Sequence, residues 1–241
     1  MDENFTLKIL HEDNHLLAVD KPAGLPSQPD DSGDAALDSL AQEYVRVKYR
    51  KPGEAYIALL HRLDRPTSGV VLLAKTGKAA ARMADLFRRR AIEKNYMALV
   101  DARQAGDALS ASGELRQFLE PGSKGGMRVA SGKTAVAREA RLSWRVLGRS
   151  HHGGLALLSV DLHTGVKHQI RCQLAAMGCP VVGDFRYGPH GGRARPDPVM
   201  GGRAILLHAS RLGFVHPVRK EAMEVTSPFP DYWHGYLGRL A

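Results

Sequence analysis

The chain has 241 residues, 34 Lys and Arg against 25 Asp and Glu, a formal charge of +9 and two cysteines. That length can bury a sizeable core. No apolar run is long enough to span a bilayer, and Met1 to Phe5 have neither the basic start nor the apolar core of a signal peptide. Two cysteines make no disulfide framework, so a reducing cytoplasm is the expected setting. The basic excess favours a polyanion such as nucleic acid without proving one.

The start reads as a strand and loop, with apolar runs at Leu7 to Leu10 and Leu16 to Val19, and Lys21 to Pro26 follow as a rigid turn. Ala35 to Val47 reads as a helix with Leu37, Leu40, Ala41 and Tyr44 on one face. Val70 to Ala74 is an apolar run that reads as a buried strand. Thr76 is placed to cap a helix over Lys78 to Arg90, whose inner face is Ala80, Met83, Leu86 and Phe87. Ile92 to Val100 reads as a strand, with Ile92, Lys94, Tyr96, Ala98 and Val100 sharing a face. Residues 121–133 read as a hairpin loop, Leu155 to Leu162 as a strand, and Gln169 to Met177 as a short helix ended by Gly178 and Pro180. Residues 185–203 form a long loop, and Leu206 to Phe214 and Met223 to Val225 supply the last strands. There is no repeat and no separating linker, so one domain over 1–241 is expected. Strands and helices mix without strict alternation, which predicts an α+β fold over a doubly wound sheet.

Local basic clusters occur at Arg46 to Lys51, Arg88 to Arg90 and Arg193 to Arg203, and Arg141, Arg145 and Arg149 recur every four residues. Each alone is an ordinary solvated face; together around one site they make a phosphate track. The most informative segment is His61-Arg62-Leu63-Asp64-Arg65-Pro66-Thr67-Ser68-Gly69. A carboxylate stands between two arginines on a Pro-Thr-Ser-Gly turn that feeds a buried strand, so Asp64 is fixed in position. The two guanidinium groups keep it ionised if they point inward. Taken alone, the same pattern is a surface salt bridge.

Four segments, in order, resemble the RluA-type pseudouridine synthases: Val19-Asp20-Lys21-Pro22-Ala23-Gly24-Leu25; His61 to Thr76; Lys94 to Val100; and Thr164 to Arg171, continuing through Val182-Gly183-Asp184 to Tyr187-Gly188. Leu207-His208-Ala209 and His216-Pro217 are similar to the family's C-terminal signature. The family commonly has Arg where this chain has Val166, which puts one RNA contact in doubt and leaves the chemistry, since Arg171 remains. The chain opens on the catalytic module, and the small N-terminal RNA-binding domain of many relatives is not expected.

The resemblance implies a pseudouridine synthase fold, with a mixed, mainly antiparallel central sheet flanked by helices and loops. It implies a cofactor-free isomerisation of uridine in ribosomal or transfer RNA, on a base flipped out of its stack. Asp64 matches the essential aspartate; whether it attacks sugar or base, or takes a sugar proton, stays open. Tyr96 matches the tyrosine that lies against the base and serves the final proton removal. Arg171 matches the arginine paired with the aspartate, and Leu207 an apolar wall of the base pocket. Arg62 is a candidate to fill the gap left by the uridine, and Arg65, Lys21, His168 and Gln169 complete the expected RNA-binding set. No metal, no membrane and no obligate protein partner are expected, and a monomer is. Three readings compete. Tyr96 is also read as a core tyrosine, Lys21 as a surface lysine and Arg171 as a helix cap or surface pair. His163, His168, Cys172 and Cys179 lack the paired spacing of a zinc site. An RNA-binding module without catalysis, or a glycosidase-like nucleoside hydrolase with Asp184 as second carboxylate, are the alternative functions.

Overall fold

The computed structural model describes residues 7–152, 154–188 and 204–240. Its contacts divide the chain into two compact units, Met1–Ile92 with Ala209–Pro228, and Glu93–His208 with Phe229–Ala241.

The first unit holds β1 (Lys8–Glu12), β2 (Leu16–Lys21), β3 (Ala58–Leu59), β4 (Ser68–Ala74), most of β10 (Leu207–Val215) and β11 (Ala222–Thr226). Their order is β1-β2-β4-β10, with β3 on β4 and β11 on β10. The β1–β2, β2–β4, β3–β4 and β10–β11 pairings are antiparallel. Every residue of β4 is buried, as its continuous apolar run demands of a strand covered on both faces. Helix α1 (Leu37–Lys48) buries Leu37, Ala41 and Val45. Helix α2 (Gly77–Arg88) begins at Thr76, whose hydroxyl accepts the Ala79 N–H, and buries Ala79 and Met83. Leu16, Ala18, Val70, Leu72, Met83, Ile92, Leu212 and Phe214 form the shared core. Gly69 closes the Asp64 motif for a steric reason. Its φ is +116°, and a Cβ there would lie 2.2 Å from the Ala209 carbonyl oxygen, so only glycine lets β4 approach β10 at this point.

The second unit holds β5 (Glu93–Asp101), β6 (Ser112–Pro121), β7 (Met127–Val129), β8 (Arg138–Arg149) and β9 (Leu155–Leu162). They follow in the order β5-β9-β8-β6-β7, antiparallel at each step. Helix α3 (Gln169–Ala176) sets Cys172 against Leu119 and Ala140, with Val166 and Tyr187 packed beside them. The short helix α4 (His234–Leu237) lies near the C-terminus. Together these elements make the expected α+β fold with mainly antiparallel strands.

Several arginines of the basic clusters have partners within the fold. Arg141 pairs with Glu114 at 2.7 Å and Arg116 with Glu139 at 2.6 Å across β6 and β8. Arg149 donates to the Leu109 carbonyl at 2.6 Å. Arg88 and Arg89 both pair with Asp85. Of Arg141, Arg145 and Arg149, the first is thus paired with a carboxylate and the last is held by a backbone carbonyl. The Arg193 to Arg203 cluster lies outside the described residues.

Candidate active site

The Asp64 loop of the first unit is shaped by hydrogen bonds from the Lys21–Ser27 turn. The Asp64 carbonyl accepts the Thr67 N–H at 2.9 Å, closing the turn. The Ser27 hydroxyl donates to the Leu63 carbonyl at 2.8 Å and accepts the Leu63 N–H at 3.1 Å. Gly24 N–H donates to the Arg65 carbonyl at 2.8 Å, and Arg65 Nε returns a bond to the Gly24 carbonyl at 3.0 Å. Two loops far apart in sequence therefore hold each other, and Asp64, half-buried, sits on the one they define. His61 is a strut: its Nε2 accepts the Leu72 N–H at 3.1 Å, and its ring packs on Phe87 with centroids 5.4 Å apart.

Lys21 lies beneath this loop and is fully buried. Its Nζ donates to the carbonyls of Leu25 at 2.7 Å, Pro22 at 3.0 Å and Arg65 at 3.2 Å. Three acceptors match the three protons of an ammonium. Burial pushes Lys21 down to about 7, against the opposing pull of the Asp64 carboxylate and with a further push from Arg65. Lys21 thus places a cation in the field of Asp64 from within its own unit, and, fully buried, it does not face RNA as expected. The flanking arginines are placed differently from the expectation too. Arg65 is engaged by Asp34, by Asp30 at 3.3 Å and by the Ser32 hydroxyl at 2.8 Å. Arg62 is exposed and reaches Gln28 Oε1 at 3.4 Å. Arg65 is thereby a tie between loops, and Arg62 remains on the surface where a nucleic acid can meet it.

The second unit carries Tyr96, His168, Gln169, Arg171 and Leu207. Tyr96 lies on β5 opposite Val160 and is 8% exposed; Leu207 opens β10 and is buried. Arg171, on α3, is buried against an equally buried carboxylate: its Nε donates to Asp184 Oδ2 at 2.6 Å and a terminal nitrogen to Oδ1 at 3.0 Å. The same Asp184 Oδ1 accepts the N–H groups of Arg186 at 3.0 Å and Tyr187 at 3.1 Å. The Arg171 guanidinium lies 5.2 Å from the centre of the Tyr187 ring. The Tyr187 hydroxyl meets His168 Nδ1 at 2.8 Å and accepts the Met127 N–H at 2.8 Å. His168 itself takes a left-handed backbone, φ 53°, just before α3. Gln169 is buried; its Oε1 accepts Thr164 Oγ1 at 2.7 Å and the Val166 N–H at 3.1 Å, and its Nε2 donates to the Arg141 carbonyl at 3.1 Å. Gln169 therefore locks the 164–169 turn where an RNA contact was expected. Val166 packs on the α3 core cluster. Cys172 and Cys179 are buried, and burial pushes each thiol up to about 11.

The role that sequence reasoning missed is that of Asp184, named there only within the fourth segment and as the second carboxylate of the alternative hydrolase. Asp184 both builds its own turn and orients Arg171. The available signal was the pairing of a carboxylate with the Val-Gly-Asp and Tyr-Gly pattern. A Cβ on Gly188 would lie 2.4 Å from the Asp184 carbonyl oxygen, so the second glycine marks how tightly the chain folds around this aspartate.

Residues 15–176 match the family described as RNA pseudouridylate synthase. The ribosomal large subunit pseudouridine synthase C of Buchnera aphidicola is 30% identical over 239 residues, 99% of this chain and 72% of that protein. The tRNA pseudouridine synthase C of Vibrio cholerae is 28% identical over 240 residues, 97% of this chain and 96% of that protein. Among solved structures, human RNA Pseudouridylate Synthase Domain Containing 4 superposes with a TM-score of 0.77 at 25% identity, covering 96% of this chain and 92% of that one.

Proposed function

Because the chain belongs to the RNA pseudouridine synthase family, a family of isomerases, we propose that it converts uridines of ribosomal or transfer RNA to pseudouridine, with Asp64 as the essential group. The observation that carries this reading is the placement of Asp64 on a loop stitched to the Lys21–Ser27 turn, over a buried lysine. A carboxylate so held needs little reorganisation to act. The target base leaves its stack, because a stacked base cannot turn about its sugar. The glycosidic bond from C1′ to N1 breaks, the base turns, and C5 bonds to C1′. C5 then loses its proton and N1 gains one, so no atom is added or removed. Asp64 serves the step in which the glycosidic bond is exchanged. Tyr96 supplies a ring for the base and a hydroxyl for the C5 proton, Arg171 a fixed positive charge, Leu207 an apolar wall, and Arg62 a side chain to enter the vacated stack. The relatives named for ribosomal and for transfer RNA make both substrate classes admissible.

The test is to incubate unmodified ribosomal and transfer RNA with the protein and with Asp64→Asn, then map pseudouridines. The wild type is expected to modify defined positions and Asp64→Asn none, while both retain similar RNA affinity. Equal yield from the two would remove Asp64 from the chemistry. Release of free uracil would mean hydrolysis, and unchanged RNA with the wild type would mean binding without catalysis.

A further inference from the structure

The first unit carries a second surface suited to RNA, at the end of β4 opposite the Asp64 loop. We propose that Tyr49, Tyr56, Arg50, Lys51 and Lys78 form a remote docking platform for the RNA strand that flanks the target uridine; the inference rests on the RNA-modifying reading above. Asp64 and its turn feed the first residue of β4, Ser68, whereas Lys75 follows its last, Ala74. Six steps of strand put about 20 Å between the two ends.

Two tyrosines flank the segment after β4. Tyr49, just past α1, is 47% exposed, and Tyr56 is 49% exposed. The Tyr49 hydroxyl donates to Glu12 at 2.8 Å and accepts from Lys75 Nζ at 2.9 Å, and the same Nζ lies 4.4 Å from the centre of its ring. Glu12 is held in turn by Lys75 and Lys48, both at 2.6 Å. The Tyr49 ring is thus fixed from beneath while half its surface faces solvent. A ring already immobilised loses little freedom when a base stacks on it. Tyr56 borders the next turn, since a Cβ on Gly77 would lie 3.9 Å from its hydroxyl oxygen.

Exposed cations stand next to these rings in the chain: Arg50 and Lys51 follow Tyr49, and Lys78 follows the Gly77 that Tyr56 borders. Arg88, Arg89 and Arg141 have carboxylate partners. The side chains of Arg50, Lys51 and Lys78 are exposed and have no ion pair or hydrogen bond among the described residues. Glu54 is the exposed carboxylate of the same turn, so the local balance stays positive. Exposed rings interleaved with unpaired cations suit a single strand, with bases on the rings and phosphates at the ammonium and guanidinium groups. At ~3.4 Å per stacked nucleotide, 20 Å corresponds to about six nucleotides from the target.

Affinity should therefore rise when the RNA is lengthened past about six nucleotides on one side of the target. The measurement is fluorescence anisotropy across a salt series, on an RNA with long flanks on both sides and on versions trimmed from either end. The double variant Arg50→Glu/Lys51→Glu, whose side chains hold nothing in the fold, should bind the long RNA at least tenfold more weakly. Its salt slope should fall by roughly 1.4–1.8, the share of two phosphates. Its affinity for the trimmed RNA and its single-turnover rate at saturating RNA should match the wild type. Tyr56→Ser should weaken binding of the long RNA without changing the slope. Wild-type affinity and slope for the long RNA in the double variant would overturn the platform, as would a change confined to self-association in sedimentation. Because the readout is binding, the platform is tested even if no RNA is modified; failure of modification by the wild type counts against the isomerase reading alone.

Discussion

Lys21 in the first unit and Arg171 in the second are both buried cations, 0% and 3% exposed, and they are satisfied in opposite ways. Lys21 is held by three backbone carbonyls, and the largest opposing charge acts on it through space from Asp64. Arg171 is clamped by both oxygens of a buried carboxylate. Carbonyl dipoles support a charge less firmly than a carboxylate does, and an ammonium gives up its proton far more readily than a guanidinium. The charge in the first unit therefore depends on pH and on the state of Asp64, while that in the second stays constant. The half of this comparison in the first unit is tunable and the half in the second is fixed.

Breaking the fixed half should cost most. Asp184→Asn takes the negative charge away from a buried guanidinium that both carboxylate oxygens hold, and is expected to remove about 3–5 kcal/mol of stability, read by urea denaturation. A loss within ~0.5 kcal/mol, the range of an ordinary surface change, would show that Arg171 does not depend on this pair. Lys21→Met should cost less, about 1–3 kcal/mol at pH 8, because it leaves buried carbonyls without donors while removing a charge that was expensive to bury.

The tunable half has a pH signature. The folded value of about 7 lies below the usual 10.5 of lysine. Between them the unfolded chain binds more protons than the folded one, so this group makes stability rise with pH. The stability of the wild type relative to Lys21→Met should therefore increase from pH 7 to pH 9, and a flat difference would contradict burial of a titrating amine. Asp64→Asn removes the carboxylate that supports the ammonium, so the Lys21 midpoint, followed by NMR of its side chain, should move further down. The smallest effect is expected at Arg62→Ala, within ~0.5 kcal/mol of the wild type, since its side chain is exposed. Arg65→Ala should exceed it, because it frees a loop bound through Asp30, Ser32 and Asp34.

Where the chain carries a strong period, its elements are legible without coordinates. Leu155–Leu162 is a strand over the expected residues, and α1, α2 and α3 begin within two residues of where they were expected. Strands β6 and β8 were not legible. Burial in β8 alternates from Ala140 to Arg149, but arginines four apart repeat on one face of a helix or of a strand alike. The Asp64 loop could be read because turn residues and an apolar strand lie next to it in sequence. The partners of the charged groups could not. Asp30 and Asp34 stand more than 30 residues before Arg65, with separations of 35 and 31, and Asp184 lies 13 beyond Arg171. Lys21 was expected to bind RNA, or on the competing reading to lie at the surface; lysines are rarely enclosed, and the convergence of three carbonyls makes its burial tolerable.

The first unit is not a continuous stretch of chain: it needs residues 209–228 as well as the first 92. On a ribosome, β4 emerges long before the β10 backbone that Gly69 is shaped to receive. About 135 residues separate the end of β4 from Ala209, which at roughly 5–20 residues per second is on the order of ten seconds of synthesis. Through that interval an apolar strand waits with one edge open, a template for wrong partners. The body of the second unit, residues 93–208, is made in the meantime and can reach its own fold first. Maturation of the Asp64 loop is therefore a late event in the life of each new molecule, and the nascent chain is most vulnerable before β10 arrives.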